Sequence, residues 1–430
     1  MTRPMSARQT ITLPYGPQQT VSFRVPRHNL QAVLSPPACP PAPDLLAEVR
    51  RALAEPIGAA PLRELVRGKR NVVILADDNT RLTPTQVILP ELLDEMNAGG
   101  VRAEQIAVII ALGTHRPMTE DEILRKFGPQ VVQRVRILNH NYLDLDNLVN
   151  LGRTPNGTPI SISRLVVEAD FSIGVGSVYP HHIPGMAGGA KIVQPGVSGE
   201  ETTGATHLLG CRARPSYLGL VDNPVRRELN AVARRAGVHY IFNTVQNEHG
   251  RTVRAFYGDL EAAFASAAEV SRAALSVPVA AQADIVVAGS FPADLEFWQA
   301  HKTLYPAEIA ARPGGTLIID TPCPEGVAVM HPQMIEYTAW SAREIEDAVT
   351  SGRIADVPAA ALAIAWAHVR QGRQVSIVSH GLSNEEARQL GFVPFPAVED
   401  ALEDAFRRHG GEATVTVLPR APETLPVPVT

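Results

Sequence analysis

Reactive side chains are densest between Tyr179 and Lys191, in Tyr179-Pro180-His181-His182-Ile183-Pro184-Gly185-Met186-Ala187-Gly188-Gly189-Ala190-Lys191. Gly185, Gly188 and Gly189 let a backbone approach a ligand closely, and Lys191 adds a cation or a nucleophilic amine at the start of the next turn. The stretch superficially resembles a phosphate-binding loop. It lacks Gly-Lys-Ser/Thr, because Ala190 precedes Lys191 and Ile192 follows it. His207, sixteen residues beyond Lys191, falls near the end of a predicted helix, where the helix dipole favours an imidazolium.

Two other loops carry chemistry. In Asp77-Asp78-Asn79-Thr80-Arg81-Leu82-Thr83-Pro84, Arg81 can hold a carboxylate in a bidentate fork. Thr83 suits a helix N-cap, with Pro84 at the first helical position. Gly113-Thr114-His115-Arg116-Pro117 contributes an imidazole, the side chain that titrates closest to neutral pH. Further on, Trp298-Gln299-Ala300-His301-Lys302 places Gln299 and Lys302 three residues apart, on one face of a helix. Each segment alone also has an ordinary structural reading: an anion loop, a surface histidine, a helix-terminal histidine, an amphipathic pair.

The elements around these segments alternate. Short apolar runs at 72–75, 106–112, 135–138, 171–175 and 240–245 read as strands; residues 83–97, 200–209, 224–236 and a segment capped at Thr119 read as helices. A second series has strands at 285–288, 316–319 and 375–378, with helices at 260–275, 359–371 and 399–408. Strands without polar alternation, interleaved with helices, indicate mostly parallel sheets covered on both faces. The expected fold is two α/β domains with mostly parallel sheets flanked by helices and an active site in the interdomain cleft. Residues 1–275 would carry cofactor and catalytic histidines, residues 276–430 would contribute substrate-binding residues, and 276–283 would be the hinge. Ligands of such sheets bind beyond the carboxyl ends of the strands, where the loops at 77–84, 113–117 and 179–191 fall.

Composition narrows the function. The 430 residues are 45% hydrophobic and 19% charged, as in ordinary globular proteins. A net charge of −5 provides no basic footprint for nucleic acid, so an anionic substrate requires local cations. Cys39, Cys211 and Cys323 are odd in number and far apart, which argues against a disulfide framework and for a cytoplasmic protein. No apolar run reaches the ~20 residues of a membrane helix.

Taken in order from Asp77 to Lys302, the segments resemble the lactate racemase family, nickel-pincer enzymes that racemise or epimerise 2-hydroxy acids. The resemblance rests on Asp78, Thr80 and Arg81, on Gly-Thr-His with His115, on Pro-His with Gly-Gly-Ala-Lys (His181, Lys191), on His207, and on Gln299 with Lys302. It implies that Lys191 covalently anchors a nickel-pincer nucleotide, Ni(II)-pyridinium-3,5-bisthiocarboxylate mononucleotide, and that His207 ligates the metal. Asp78, Asn79, Thr80 and Arg81 would contact the cofactor; Arg81, Gln299 and Lys302 would bind substrate. His115 and His181 would be acid/bases on opposite faces of the substrate during reversible hydride transfer through a 2-keto acid. The implied partners are a small 2-hydroxy acid and the separate proteins that make the cofactor. A non-racemising hydride-transfer enzyme on the same cofactor and a non-catalytic nucleotide- or anion-binding protein are the alternatives. The sequence departs from lactate-type members at His182, where an aromatic is common, at Trp298, where a Tyr is expected, and at 357–359, which lack a Gln-Trp pair. These departures bring other 2-hydroxy acids, aldonic acids included, into consideration beside lactate.

Overall fold

The computed structural model describes residues 7–429. The chain divides into two units: Ala38–Ala274, and a second that joins the chain up to Pro37 to everything from Leu275 onward.

The first unit is built on a six-stranded sheet in the order Thr252–Asp259, Tyr240–Gln246, Phe171–Ser177, Val72–Ala76, Ile106–Ile110, Arg136–Asn139. All neighbours are parallel except Thr252–Asp259, which closes one edge antiparallel. Every residue of Val72–Ala76, Ile106–Ile110 and Phe171–Ser177 is buried, as expected for strands with helices over both faces. Ile74, Val108 and Ile173 pack with Ile88 and Leu92 of the helix Thr85–Ala98 and with Phe242 and Tyr257. Each such side chain stabilises the fold by about 1.5–3 kcal/mol. From Val72–Ala76 the chain steps outward through Ile106–Ile110 to Arg136–Asn139, then returns to the other side of Val72–Ala76 with Phe171–Ser177. The strand order therefore reverses between these two central strands, which is where doubly wound sheets hold ligands.

Most helices begin where the sequence indicates. Thr119 caps Glu120–Phe127 in a capping box: its hydroxyl accepts from Glu122 N at 3.3 Å, and the Glu122 carboxylate accepts from Thr119 N at 2.8 Å. Thr83 is a correction. The helix starts at Thr85 after Pro84, and the Thr83 hydroxyl instead bonds the Asp77 carboxylate and, at 2.5 Å, Ser177 Oγ. It ties two adjacent strand ends together.

The second unit has a six-stranded parallel sheet in the order Val393–Phe395, Gln374–Val378, Ala311–Asp320, Ala283–Gly289, Val415–Leu418, Leu30–Val33. The antiparallel hairpin Arg8–Tyr15/Gln19–Pro26 packs Leu13, Phe23 and Val25 against Ile285, Val287, Ile318 and Leu402. The segment before the Pro-rich stretch thus folds with the C-terminal sheet rather than with the residues that follow it. Its edge strand is only four residues long and pairs with a strand near the other end of the sequence. The segment read as a hinge contains a strand, Ser276–Val279, paired in parallel with Leu425–Pro428.

At the carboxyl end of Ala311–Asp320, Asp320 is 2% exposed, and neither of its carboxyl oxygens has a hydrogen-bond partner among the described residues. Burial, with a smaller contribution from Glu399, pushes its pKa up to about 7.

Candidate active site

Three loops of the first unit leave the carboxyl ends of adjacent strands. The loop after Val72–Ala76 holds Asp78, which is 3% exposed. Its Oδ1 accepts from Thr80 N at 3.0 Å and from the Thr80 hydroxyl, forming a tight Asx turn. Its Oδ2 lies 2.5 Å from His115 Nδ1. His115 comes from the loop after the neighbouring strand Ile106–Ile110, where Gly113, at φ +60°, starts a sharp turn and His115 N bonds Leu112 O at 3.0 Å. Burial alone would raise Asp78, but His115 beside it, its hydrogen bond and the Arg81 charge outweigh burial and hold the carboxyl well below the usual carboxylate range. Asp78 is therefore ionised at any working pH. An ionised carboxylate against Nδ1 keeps a proton on that nitrogen, so Nε2 carries the lone pair of the neutral ring.

Arg81 Nη1 donates to the Thr80 hydroxyl at 2.7 Å, and its guanidinium lies 5.8 Å from the centre of the Tyr179 ring. Below it, the Lys126 ammonium donates to Arg81 O at 2.7 Å and pairs with Asp77 Oδ1 at 3.1 Å, so the loop is anchored on a buried ion pair. Asn79 points away from this cluster; its amide donates to Glu122 Oε1 at 2.9 Å.

After Phe171–Ser177, Pro180–His181 and Gly185–Met186 form a two-rung antiparallel hairpin. His181 and His182 are both buried and stacked, with ring centres 4.8 Å apart and 16° between planes. His181 Nδ1 accepts from Ile183 N at 3.2 Å, which puts the neutral ring's proton on Nε2. The two sequence-selected histidines are thus held in opposite tautomers. Gly185 sits at φ +79°, and a Cβ there would lie 1.7 Å from Leu220 O, so only glycine fits.

Lys191 lies on the 3-10 turn Gly189–Ile192 and is half-buried. No hydrogen bond or ion pair reaches its Nζ among the described residues. Burial first, then the charges of Arg81 and Arg226, push its pKa down to about 7 against the opposing pull of Asp78 and Asp77. Much of it is a neutral amine at physiological pH. His207 lies on the helix Glu200–Cys211, with Nδ1 2.9 Å from Thr203 O. Only a donor nitrogen satisfies a carbonyl, so the Nε2 lone pair is the one able to bind a metal. In the second unit, Gln299 is buried and its Oε1 accepts from the Lys302 ammonium, the i, i+3 pairing expected from the spacing.

The fold therefore joins Asp78, Thr80, Arg81 and His115 by direct contacts and sets Lys191 within the field of Arg81 and Asp78. It places His181 and His207 on the following hairpin and helix. Gln299 and Lys302 form a separate pair in the other unit. Sequence reasoning missed Arg226 and Asn243, which hold the lysine turn: Gly189 N donates to Asn243 Oδ1 at 2.8 Å, and Arg226 Nη1 donates to Gly188 O at 3.0 Å. Asn243, an amide beside Thr244 in the mostly apolar run at 240–245, was the available signal for one of them.

A doubly wound sheet with a carboxylate-oriented histidine, a depressed lysine and two further histidines at its switch point defines an α/β protein equipped for acid–base and covalent chemistry on a small ligand. The comparisons with known proteins are specific. The lactate racemase N-terminal domain matches residues 15–217, and the lactate racemase C-terminal domain matches residues 278–423. The chain is 30% identical to the lactate racemase of Lactiplantibacillus plantarum over 86% of its own length and 88% of that protein. It is 32% identical to the lactate racemase of Thermoanaerobacterium thermosaccharolyticum over 74% and 75% of the two chains. The structure of the lactate racemase apoprotein from T. thermosaccharolyticum superposes with a TM-score of 0.86 at 27% identity, covering 97% of this chain and all of that one. A Thermotoga maritima protein at 21% identity shares the fold, with a TM-score of 0.69. The chain belongs to the lactate racemase family.

Proposed function

We propose that this protein is an isomerase that racemises or epimerises a 2-hydroxy acid, with a nickel-pincer nucleotide bound through Lys191. The observation that carries this reading is the Asp78–His115 pair at 2.5 Å, set beside a lysine held partly as a neutral amine. The donor set suits the group. Lys191 provides a nucleophilic amine for attachment, and His207 provides an imidazole, a ligand nickel accepts readily. With few cysteines in the chain, sulfur donors to the metal would come from the nucleotide, which separate biosynthetic proteins would have to supply.

Removing the α-hydrogen of a 2-hydroxy acid as a proton would build a second negative charge beside the carboxylate. When bound, the nucleotide supplies reversible acceptance of that hydrogen as hydride, so the substrate passes through a planar 2-keto acid. The chain's own residues manage the hydroxyl proton and the charge. His115 takes the proton at Nε2, and the ionised Asp78 stabilises the imidazolium that forms. His181, on the hairpin after the central strand, serves the other face of the planar intermediate. Arg81, Gln299 and Lys302 hold the substrate carboxylate and its C2 oxygen, supplying the local positive charge that the net composition lacks. Thr80 keeps Arg81 in place, and Asn79 would take part through the same loop.

Trp298, beside Gln299, stacks on His331 with 3.9 Å between ring centres, and His331 Nδ1 lies 2.6 Å from Asp356 Oδ2. The departures at His182 and Trp298 keep other 2-hydroxy acids, aldonic acids included, beside lactate among the substrates to test.

The test offers cofactor-loaded protein single stereoisomers of lactate and of aldonic acids, deuterated at C2, in ordinary water. The expected product is the C2 epimer with its deuterium retained. Loss of deuterium to solvent would overturn the hydride reading. Accumulation of 2-keto acid without epimer would identify the non-racemising alternative, and ligand binding without turnover would identify a binding protein.

A further inference from the structure

Arg226 is a buried guanidinium with no carboxylate partner among the described residues. Asn223 caps the helix Pro224–Arg235, accepting from Arg226 N at 2.9 Å, and the Arg226 side chain turns inward until the residue is 3% exposed. Its Nη1 donates to Gly188 O at 3.0 Å, its Nη2 donates to Met186 O, and its guanidinium carbon lies 4.1 Å from the centre of the Phe264 ring. No acidic side chain pairs with it among the described residues. Buried arginines are almost always paired with an acid, because an uncompensated charge in the interior is costly. Carbonyl groups and an aromatic face hold this one without neutralising it, so its charge acts on its surroundings.

The carbonyls it grips belong to the loop that carries Lys191. Gly188 stands at φ +78°, where a Cβ would lie 2.5 Å from Val178 Cγ2, and the lysine turn begins at the next residue. The ionisable groups that act on the Lys191 amine are Arg81 and Arg226 on one side and Asp77 and Asp78 on the other. Both acids are already engaged, Asp78 with His115 and Thr80, Asp77 with Lys126 and Thr83. Of the two guanidiniums, Arg226 is the one held by carbonyl groups and an aromatic face, with no acid paired to it among the described residues.

We propose that Arg226 is a positioning residue for cofactor attachment: it pins the turn that presents Lys191, and its charge, adding to burial and to Arg81, favours the neutral, nucleophilic form of that amine. This rests on the reading of Lys191 as the anchor. A lysine with the ordinary pKa near 10.4 is neutral in only about one molecule in a thousand at pH 7.4. A nearby fixed cation raises the reactive fraction without any general base.

The test uses the full chain without cofactor. Trace acetylation with acetic anhydride over pH 6–11, read by peptide mass spectrometry with Lys69 as internal reference, gives the titration midpoint of Lys191. In the unaltered protein the Lys191 midpoint is expected at least two pH units below that of Lys69. Arg226→Gln keeps an amide donor toward the loop carbonyls but removes the charge; it should raise the Lys191 midpoint by about one unit, a roughly tenfold loss of labelling near neutral pH. Arg226→Lys, which keeps the charge, should restore it. If Arg226→Gln does not fold, Phe264→Glu sets a carboxylate under the guanidinium and should give the same upward shift. Lys191 titrating together with Lys69, or a folded Arg226→Gln or Phe264→Glu protein with an unmoved midpoint, would overturn the proposal. Failure of Lys191 to carry a cofactor in a loaded preparation would sink the anchor reading and leave this titration intact, so the two failures are distinguishable.

Discussion

Replacing His115 with alanine is expected to lower turnover of the 2-hydroxy acid by about 10²–10⁴-fold, the range set by losing a positioned general acid–base group. The fold should survive, because His115 lies in a loop and keeps part of its side chain exposed, at 19%. The defect should fall on turnover rather than on loading, because Lys191 and His207 lie on other segments, the turn Gly189–Ile192 and the helix Glu200–Cys211. Asp78→Asn provides the companion measurement. An amide facing Nδ1 removes the negative charge that stabilises the imidazolium and no longer requires a proton on that nitrogen. It should reproduce most of the loss while leaving His115 in place. Steady-state kinetics on the loaded proteins, with thermal melts as a folding control, check both. Turnover within threefold of the parent for His115→Ala would remove His115 from the chemistry.

Asp320→Asn is expected to stabilise the protein at pH 8 and to stabilise it by less than half as much at pH 5. An unfolded aspartate ionises near 3.9, while the folded Asp320, raised by burial and to a lesser extent by Glu399, ionises at about 7. Between those values the unfolded chain has released the proton and the folded chain still holds it. Stability is therefore fully present below about pH 4, falls as pH rises toward 7, and levels off above. The difference amounts to roughly 4 kcal/mol. Asparagine carries no titrating proton, so the decline should flatten and the pH 8 melting temperature should rise by several degrees. Urea denaturation of parent and variant at pH 5 and pH 8 checks this. Parallel curves, with the same pH dependence in both proteins, would show that Asp320 is not the group responsible.

How much of this was legible in the sequence depended on whether a feature is set locally. The strands around 72–76, 106–110 and 171–177 could be read because a strand buried on both faces is a continuous apolar run, and nothing else so short and apolar recurs between helices. With those strands placed, the loops holding Asp78, His115 and His181 had to lie at one end of the sheet. Gln299 with Lys302 followed from helical spacing alone. The features that were missed depend on contacts between segments far apart in the chain. Leu30–Val33 is four residues with exposed alternate positions, and its pairing with Val415–Leu418, with the packing of the preceding hairpin, assigns the N-terminal segment to the second unit. Thr83 has every local mark of an N-cap, but a buried Asp77 and Ser177 compete for its hydroxyl and win. Arg226 stands in Arg226-Arg227-Glu228, which reads as a solvated helix surface; Arg226 and Glu228 are both buried, because the loop at 185–189 and Thr154 with Asn156 come to meet them. The Asp78–His115 contact spans two loops and becomes expected only once their strands are known to be neighbours.

The central claim is that Lys191 carries a nickel-pincer nucleotide in a working 2-hydroxy acid isomerase. The most direct measurement is to produce the chain together with a cofactor-making pathway, then determine its nickel content and the mass of the peptide containing Lys191. Near-stoichiometric nickel with an adduct on Lys191, both lost in Lys191→Ala, is the expected result. Neither metal nor adduct, under conditions in which the Lactiplantibacillus plantarum relative loads normally, would contradict it.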